Sequence, residues 1–295
     1  MPLNSSAGKD RQEAEPGKLY VVATPVGNLN DITLRAIVIL KSVDVIAAED
    51  TRRTGILLKA HHIDTRLISC HEHNEKQRAP KLIEKLKKGA SAALVSDAGT
   101  PTVSDPGYRL VRAAVTAGIS VVPIPGVSAA MAALSVSGLP TDAFVFIGFP
   151  EKRAARRLKQ LSGLADRRET LVFYESPRRI TGLLKAVIEC MGDRPAVLAR
   201  EMTKQYEEFI RGPVSRIIAE LEPRGGVKGE CTLLVAGHLE EEQADTGEVK
   251  TEIARQLASG AVGTAEISRQ VVRKFHLSRK EAYALVLEVK AQDGR

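Results

Sequence analysis

The chain has 295 residues, 43% of them apolar, and a formal net charge of +7. That length suits two α/β domains of ordinary size, and the positive balance is compatible with a polyanionic substrate. Trp is absent and aromatics make up 4%, which excludes a binder built on base-stacking platforms, and no apolar run is long enough to span a membrane.

Residues 1–17 are polar and read as a disordered tail. A strand over 18–23 runs into Thr24-Pro25-Val26-Gly27-Asn28-Leu29-Asn30-Asp31, where Asp31 can cap a helix burying Ile32, Ala36, Leu40 and Val43. A strand over 44–48 ends in Glu49-Asp50-Thr51-Arg52-Arg53. A helix over 54–61 and a strand over 66–70 follow, then His71-Glu72-His73-Asn74-Glu75 and a basic helix over 80–88. The strand 92–95 enters Ser96-Asp97-Ala98-Gly99-Thr100-Pro101-Thr102-Val103-Ser104-Asp105-Pro106-Gly107. Asp105 fits an N-cap and Pro106 the first position of the next helix, which carries Leu110, Val111, Ala114 and Val115. A strand over 120–124 leads to Pro125-Gly126-Val127-Ser128-Ala129-Ala130, whose small residues let a helix N-terminus approach a ligand. Five strands alternating with helices predict a mostly parallel sheet covered on both faces.

A second set starts after the turn at Gly138-Leu139-Pro140. It comprises a strand over 143–149, a basic helix over 152–159, and a strand over 169–174 ending in Glu175-Ser176-Pro177-Arg178-Arg179. A helix over 180–191 precedes a strand over 196–199 ending in Arg200-Glu201-Met202-Thr203-Lys204. A hairpin partner over 207–211, a helix over 215–221 and a last strand over 231–236 complete it. The acidic run 240–248 reads as a linker, and 249–295 as a module of three short helices whose middle, 269–280, carries five Lys/Arg. The expected domains are therefore 18–138, 139–239 and 249–295.

The twelve-residue loop 96–107 is longer than usual connections and follows a strand's carboxyl end, where open α/β sheets bind ligands. The loops at 24–31 and 125–130 are of the same kind. No G-x-G-x-x-G follows the first strand, so the ordinary dinucleotide fingerprint is absent. His71 and His73 lack a third ligand at suitable spacing, so no metal is expected. Cys70, Cys190 and Cys231 are isolated and read as reduced thiols of a cytoplasmic protein.

Taken together, Thr24-Pro25-Val26-Gly27-Asn28-Leu29, Glu49-Asp50-Thr51-Arg52, Ser96-Asp97-Ala98-Gly99-Thr100-Pro101, Asp105-Pro106-Gly107, Pro125-Gly126, Phe173-Tyr174-Glu175-Ser176-Pro177 and Ala199-Arg200-Glu201-Met202-Thr203-Lys204 form a specific set. On these stretches, from about residue 18 to 238, the sequence resembles the ribosomal RNA small subunit methyltransferase I family. Those proteins are 2′-O-ribose methylases of the tetrapyrrole methylase fold. The resemblance implies two α/β domains with S-adenosylmethionine in the cleft between them, a homodimer, and 2′-O-methylation of a cytidine in the decoding region of 16S ribosomal RNA. Methylases of tetrapyrroles typically open with G-x-G-P-G-D; the sequence here departs from that at 24–29, which argues against a porphyrinoid substrate.

Methyl transfer from a sulfonium to a ribose hydroxyl needs alignment, exclusion of water and help with a weakly acidic proton. Asp97, Ala98, Gly99, Ser128 and Ala129 are assigned to the cofactor, with Ala199 closing over it. Pro25, Ser96, Ser104, Asp105, Pro106, Gly126 and Phe173 join them on the resemblance. Glu49 and Asp50 are either base or ribose anchor, or Asp50 pairs with Arg52 or Arg53 as scaffold. Glu175 and Glu201 contact a ligand or form salt bridges to Arg178 or Arg200. Arg52, Arg53, Arg269, Arg273, Lys274, Arg279 and Lys280 are the expected contacts to RNA. The tail containing the last five is otherwise a protein-docking module, and the arginines at 153, 156 and 157 read as a solvated helix face, with an RNA clamp as the alternative. The alternatives to the RNA methylase are a methylase of the same fold acting on a small molecule or protein, and a non-catalytic ribosome-assembly protein.

Overall fold

The computed structural model describes residues 13–238, 246–259, 262–275, 277 and 279–292. The short apolar runs of the first half form β1 (Leu19–Val22), β2 (Val45–Ala48), β3 (Leu67–Ser69), β4 (Ala92–Val95) and β5 (Val121–Ile124). They pair in the order β3-β2-β4-β1-β5 with every pair parallel. The apolar runs have no polar alternation because both faces are covered. Tyr20 packs with Ile39, Leu40 and Leu57 on one face, while neighbouring Leu19 packs with Leu82, Leu86 and Leu110 on the other. The order makes β2, β4 and β1 consecutive, so the loops leaving their carboxyl ends meet.

The helices of this half are α1 (Leu34–Ser42), α2 (Thr51–Ala60), α3 (Glu75–Lys87), α4 (Tyr108–Thr116) and α5 (Ala129–Ser137). Their starts differ from the expected ones. Thr33 caps α1 by accepting the Ala36 N–H, and Asp31 closes a preceding 3-10 turn instead. Asp50 caps α2, so the helix opens at Thr51 and carries Arg52 and Arg53 in its first turn. The α3 helix begins at Glu75, whose buried carboxylate accepts the Leu110 N–H at 2.8 Å and ties α3 to α4. The α4 cap is Gly107 at φ 119°, not Asp105; a Cβ there would meet Leu94 Cδ2 at 2.6 Å. Of the expected tail 1–17, residues 1–12 lie outside the described residues. Beyond them, the Ala14 and Glu15 N–H groups donate to Ser42 Oγ and Tyr20 Oη.

The second sheet contains β6 (Phe144–Gly148), β7 (Thr170–Glu175), β8 (Pro195–Arg200), β9 (Glu208–Pro213) and β10 (Cys231–Val235) in the order β6-β7-β10-β8-β9. The expected β8–β9 hairpin is present, and β6–β7 is the one parallel pair. Helices α6 (Ala154–Ser162), α7 (Ile180–Met191) and α8 (Val214–Leu221) cover one face, around Phe173, Leu198 and Leu233. On the other face Val172, Val197 and Leu234 pack against Ala133 and Leu134 of α5. Both sheets belong to one compact unit ending at Gly237, so α5 links them.

Residues from His238 onward form a separate unit. It has the three expected helices, α9 (Thr246–Ser259), α10 (Thr264–Phe275) and α11 (Arg279–Gln292), joined through Val249, Ile253, Ile267, Val271 and Val286. Of the predicted linker, 240–245 lie outside the described residues, and Thr246 already opens α9. Among the described residues no helix is long and apolar enough to cross a membrane.

Candidate active site

Three loops are stitched together at the carboxyl edge of the first sheet. Thr24 and Gly99 exchange two backbone hydrogen bonds, at 2.8 and 2.9 Å, and the Thr24 hydroxyl donates to the Ser96 carbonyl. The Thr100 hydroxyl donates to the Val127 carbonyl. Gly126 lies so close to Ala23 that a Cβ on it would be 2.9 Å from the Ala23 Cβ. The second sheet reaches the same place. The Asn28 N–H donates to Thr203 Oγ1 at 2.9 Å, and a Cβ on Gly27 would fall 2.5 Å from Lys204 Cγ and 2.8 Å from the Met202 carbonyl.

Two adjoining cavities result. The larger, about 370 Å³, is walled by Glu49, Asp97, Ala98, Gly99, Val103 and Asp105 from the first half with Ser128 and Ala129 at the start of α5. Phe149, Tyr174, Glu175, Pro177, Glu230 and Thr232 close it from the second half. The smaller, about 250 Å³, lies along Thr24, Pro25, Gly27, Leu29, Thr54, Leu57, Ser96 and Lys204. Val26, Arg53, Asp97, Ala98 and Glu230 border both.

Asp97 organises the charged part. Its Oδ1 accepts the Asp50 N–H at 3.0 Å, its Oδ2 is 3.5 Å from Arg53, and its own N–H donates to Glu49 Oε2 at 3.4 Å. Burial pushes the Glu49 carboxyl above its usual pKa. Asp105 is pushed up to about 7 by burial, against the Ser96 hydroxyl that hydrogen-bonds it. Asp105 therefore carries a proton that Asp unfolded in water gives up near pH ~3.9. Between those values the folded state holds more protons than the unfolded one, so this group makes stability fall as pH rises. Asp105→Asn is expected to match the wild type near pH 4 and to exceed it increasingly up to about pH 7, by at most ~1.4 kcal/mol per pH unit. Denaturant melts across that range check it; a constant difference would contradict a protonated Asp105.

The other expected site residues divide. Asp50 is off both cavity walls: it caps α2 and binds Arg52 through two side-chain hydrogen bonds, which hold its pKa far below the usual carboxylate range. Arg52 is 89% exposed in its side chain. Glu175 borders the larger cavity but is 1% exposed in its side chain and is held by Arg179 at 2.6 Å, not Arg178. Glu201 is joined to Lys204 at 2.9 Å and accepts the Glu230 N–H, away from both walls. Ser104, Pro106 and Gly126 belong to the loops but line neither of the two cavities. Phe173 sits in the second core with Leu183 and Leu198, and Ala199 is fully buried behind the wall.

Tyr174, Thr232 and Phe149 are wall residues that sequence reasoning did not assign. The signal for Tyr174 was strand alternation: with Phe173 in the core, its neighbour must face the other way. Tyr174 stands opposite Thr232 in the β7–β10 register, and its hydroxyl accepts the Ala130 N–H at 3.1 Å. In the helical unit Arg269 pairs with Glu266 and Lys274 with Glu252, while Arg279 is exposed. The side chains of Arg273 and Lys280 lie outside the described residues.

Residues 18–218 match the family model described as Tetrapyrrole (Corrin/Porphyrin) Methylases. Proteins called ribosomal RNA small subunit methyltransferase I are similar over most of the length. The one from Bacillus subtilis (strain 168) is 42% identical, covering 92% of this chain and 94% of its own. That from Micromonospora olivasterospora is 45% identical over 90% and 85%, and that from Escherichia coli O157:H7 is 47% identical over 80% and 84%. Among solved structures, uroporphyrin-III-C-methyltransferase from Thermus thermophilus has the same fold at a TM-score of 0.55 and 24% identity, covering 75% of this chain and 94% of that one. A cobalt precorrin-4 methyltransferase gives a TM-score of 0.56 at 17% identity, over 75% and 95%.

Proposed function

Because the chain belongs to the ribosomal RNA small subunit methyltransferase I family of the tetrapyrrole methylases, we propose that it methylates the 2′-hydroxyl of a cytidine in the decoding region of small-subunit RNA. It is an S-adenosylmethionine-dependent ribosomal RNA methyltransferase; ribose, cytidine and location rest on the motif resemblance. The observation that carries the reading is the pair of cavities sharing Arg53 and Asp97 on their common wall.

The larger cavity fits the donor. Its volume of about 370 Å³ lies in the range of small-ligand sites. Glu49, Asp97 and Glu230 outnumber Arg53 on its wall, which suits a cation, while Val103, Phe149, Tyr174 and Pro177 offer apolar surface for a base. Once bound, S-adenosylmethionine supplies a methyl group already activated by the sulfonium charge. Ser128 and Ala129 at the start of α5, with the 97–100 backbone, would hold its polar ends.

The smaller cavity is our assignment for the acceptor ribose. Arg53 on the shared wall faces the RNA phosphate, and Glu49, which lines the larger cavity next to the shared residue Asp97 and is raised by burial, takes the hydroxyl proton on a carboxylate oxygen where the acceptor reaches the donor. A base tuned towards neutrality is worth ~10²–10⁴-fold. Phe149 and Val103 keep water from the donor side. Gly99, at φ 78°, sustains the turn against Thr24; a Cβ there meets nothing closer than 3.8 Å, so the cost of replacing it is conformational rather than steric. Gly99→Val is expected to weaken S-adenosylmethionine binding at least ~10-fold, about 1.4 kcal/mol. Calorimetry giving unchanged affinity for a folded variant would remove this turn from the site.

We also propose a homodimer, as the resemblance implies. The edge strands β5 and β6 carry exposed Pro123 and Phe144, and α5 exposes Met131 and Val136, apolar surface of the kind a subunit contact covers. Offered small ribosomal subunits and a porphyrinoid side by side, the enzyme is expected to methylate only the former. Methylation of the macrocycle would overturn the substrate assignment.

A further inference from the structure

The basic residues of the chain are unevenly neutralised. In the first compact unit many cations have a carboxylate partner: Arg53 with Asp97, Arg179 with Glu175, Arg200 and Arg224 with Glu208, Lys204 with Glu201 and Glu230. In the helical unit Lys250, Arg255, Arg269 and Lys274 are likewise paired with glutamates. The tail expected to contact RNA thus spends much of its charge internally.

The α3–α4 face is different. Arg78, Lys81, Lys85 and Lys88 follow one another at i, i+3, i+7 and i+10, a spacing that lines them along one stripe of α3 and its last turn. All four are exposed, opposite Ala79, Leu82 and Leu86, which are buried. Lys88 takes up Glu84 at 2.7 Å; among the described residues no ion pair holds the other three. Next to α3, α4 contributes exposed Arg109 and Arg112 and has no acidic residue between Tyr108 and Thr116. Glu75, the remaining acid of α3, is buried on the Leu110 N–H. The stripe runs ~15 Å at 1.5 Å per residue. Both helices start at the carboxyl ends of β3 and β4, the edge on which the cavities open.

A row of cations, three of them without a carboxylate partner among the described residues, on a helix that starts at the sheet edge where the cavities open, suits a polymer with regularly spaced negative charges. We propose that the α3–α4 face is a backbone-binding surface for RNA, carrying the strand that enters the active site. This rests on the RNA-methylase reading above. The contacts position the substrate and carry no sequence information, so specificity stays at the cavities.

The test is the triple variant Arg78→Glu, Lys81→Glu, Lys85→Glu in the full-length protein, with binding to small ribosomal subunits measured over a range of salt. Affinity is expected to fall at least ~10-fold at moderate salt. The slope of log affinity against log salt should become shallower by about 2 to 3, near one for each phosphate that is no longer neutralised. Affinity for S-adenosylmethionine should not change, which reports an intact fold. For methylation, KM should rise with kcat retained. Wild-type affinity and slope in the variant would overturn the surface while leaving the methylase reading intact. Weaker affinity with an unchanged salt slope would assign the face to a protein of the subunit and overturn it as well. A wild-type protein that neither binds nor methylates subunits would sink the functional reading, and this surface with it.

Discussion

Replacing Gly27 by valine is expected to lower turnover at least ~100-fold in a protein that still folds. Gly27 lies on the wall of the smaller cavity, where the loop after β1 meets the turn at 202–204 of the second half. A Cβ would be 2.6 Å from Thr203 Oγ1 as well as 2.8 Å from the Met202 carbonyl, which is backbone. The turn has little room to yield: Glu201 and Thr203 already hold positive φ, and Lys204 is tied to two carboxylates. The loop must therefore move, and the Asn28–Thr203 hydrogen bond goes with it. Overpacking of this kind costs ~1–3 kcal/mol. A displacement of about 1 Å at a reacting geometry costs ~10²-fold in rate. The donor should be affected less, because Thr24 remains bonded to Gly99 from the other side. Single-turnover kinetics and calorimetry separate the two. Wild-type turnover in Gly27→Val would mean that this contact does not position the acceptor.

The second large effect separates two adjacent acids. Glu49 faces the larger cavity and is raised by burial; Asp50 faces away and is consumed by its own helix and Arg52. Glu49→Gln is expected to cut kcat by ~10²-fold or more, with S-adenosylmethionine affinity within a few-fold. Asp50→Asn retains a capping side chain and loses the pair with exposed Arg52, so activity should hold. Asp50→Ala removes the cap at ~0.5–2 kcal/mol of stability. Full activity in Glu49→Gln, or a collapse in Asp50→Asn, would reverse these roles.

The fold was readable because its signals are strong and local. The 180–191 periodicity gives α7 residue for residue, and apolar runs bounded by turn residues give all ten strands. The helix starts were less readable, since several polar residues near each boundary compete to cap. Asp105 is a good cap by type, yet Gly107 takes the position because the backbone turns at positive φ against Leu94. The freed Asp105 becomes part of the cavity wall. The site was legible as loops but not as walls. Phe173 and Tyr174 share a motif, and only the sheet's two faces decide which one meets the ligand. Pairing of charges was hidden too. The tail reads as the RNA contact from its basic residues, whereas two of them are held in ion pairs and Arg78, Lys81 and Lys85 of α3, like the cations at the start of α6, are in none among the described residues.

Small ribosomal subunits from a strain lacking this enzyme, incubated with the purified protein and S-adenosylmethionine, give the most direct measurement. Mass spectrometry of their nuclease fragments is expected to find one added methyl group on the ribose of a cytidine in the decoding region, resistant to alkaline cleavage, and absent with Glu49→Gln. A methyl group on a base, on a protein of the subunit, or nowhere in the RNA would contradict the assignment.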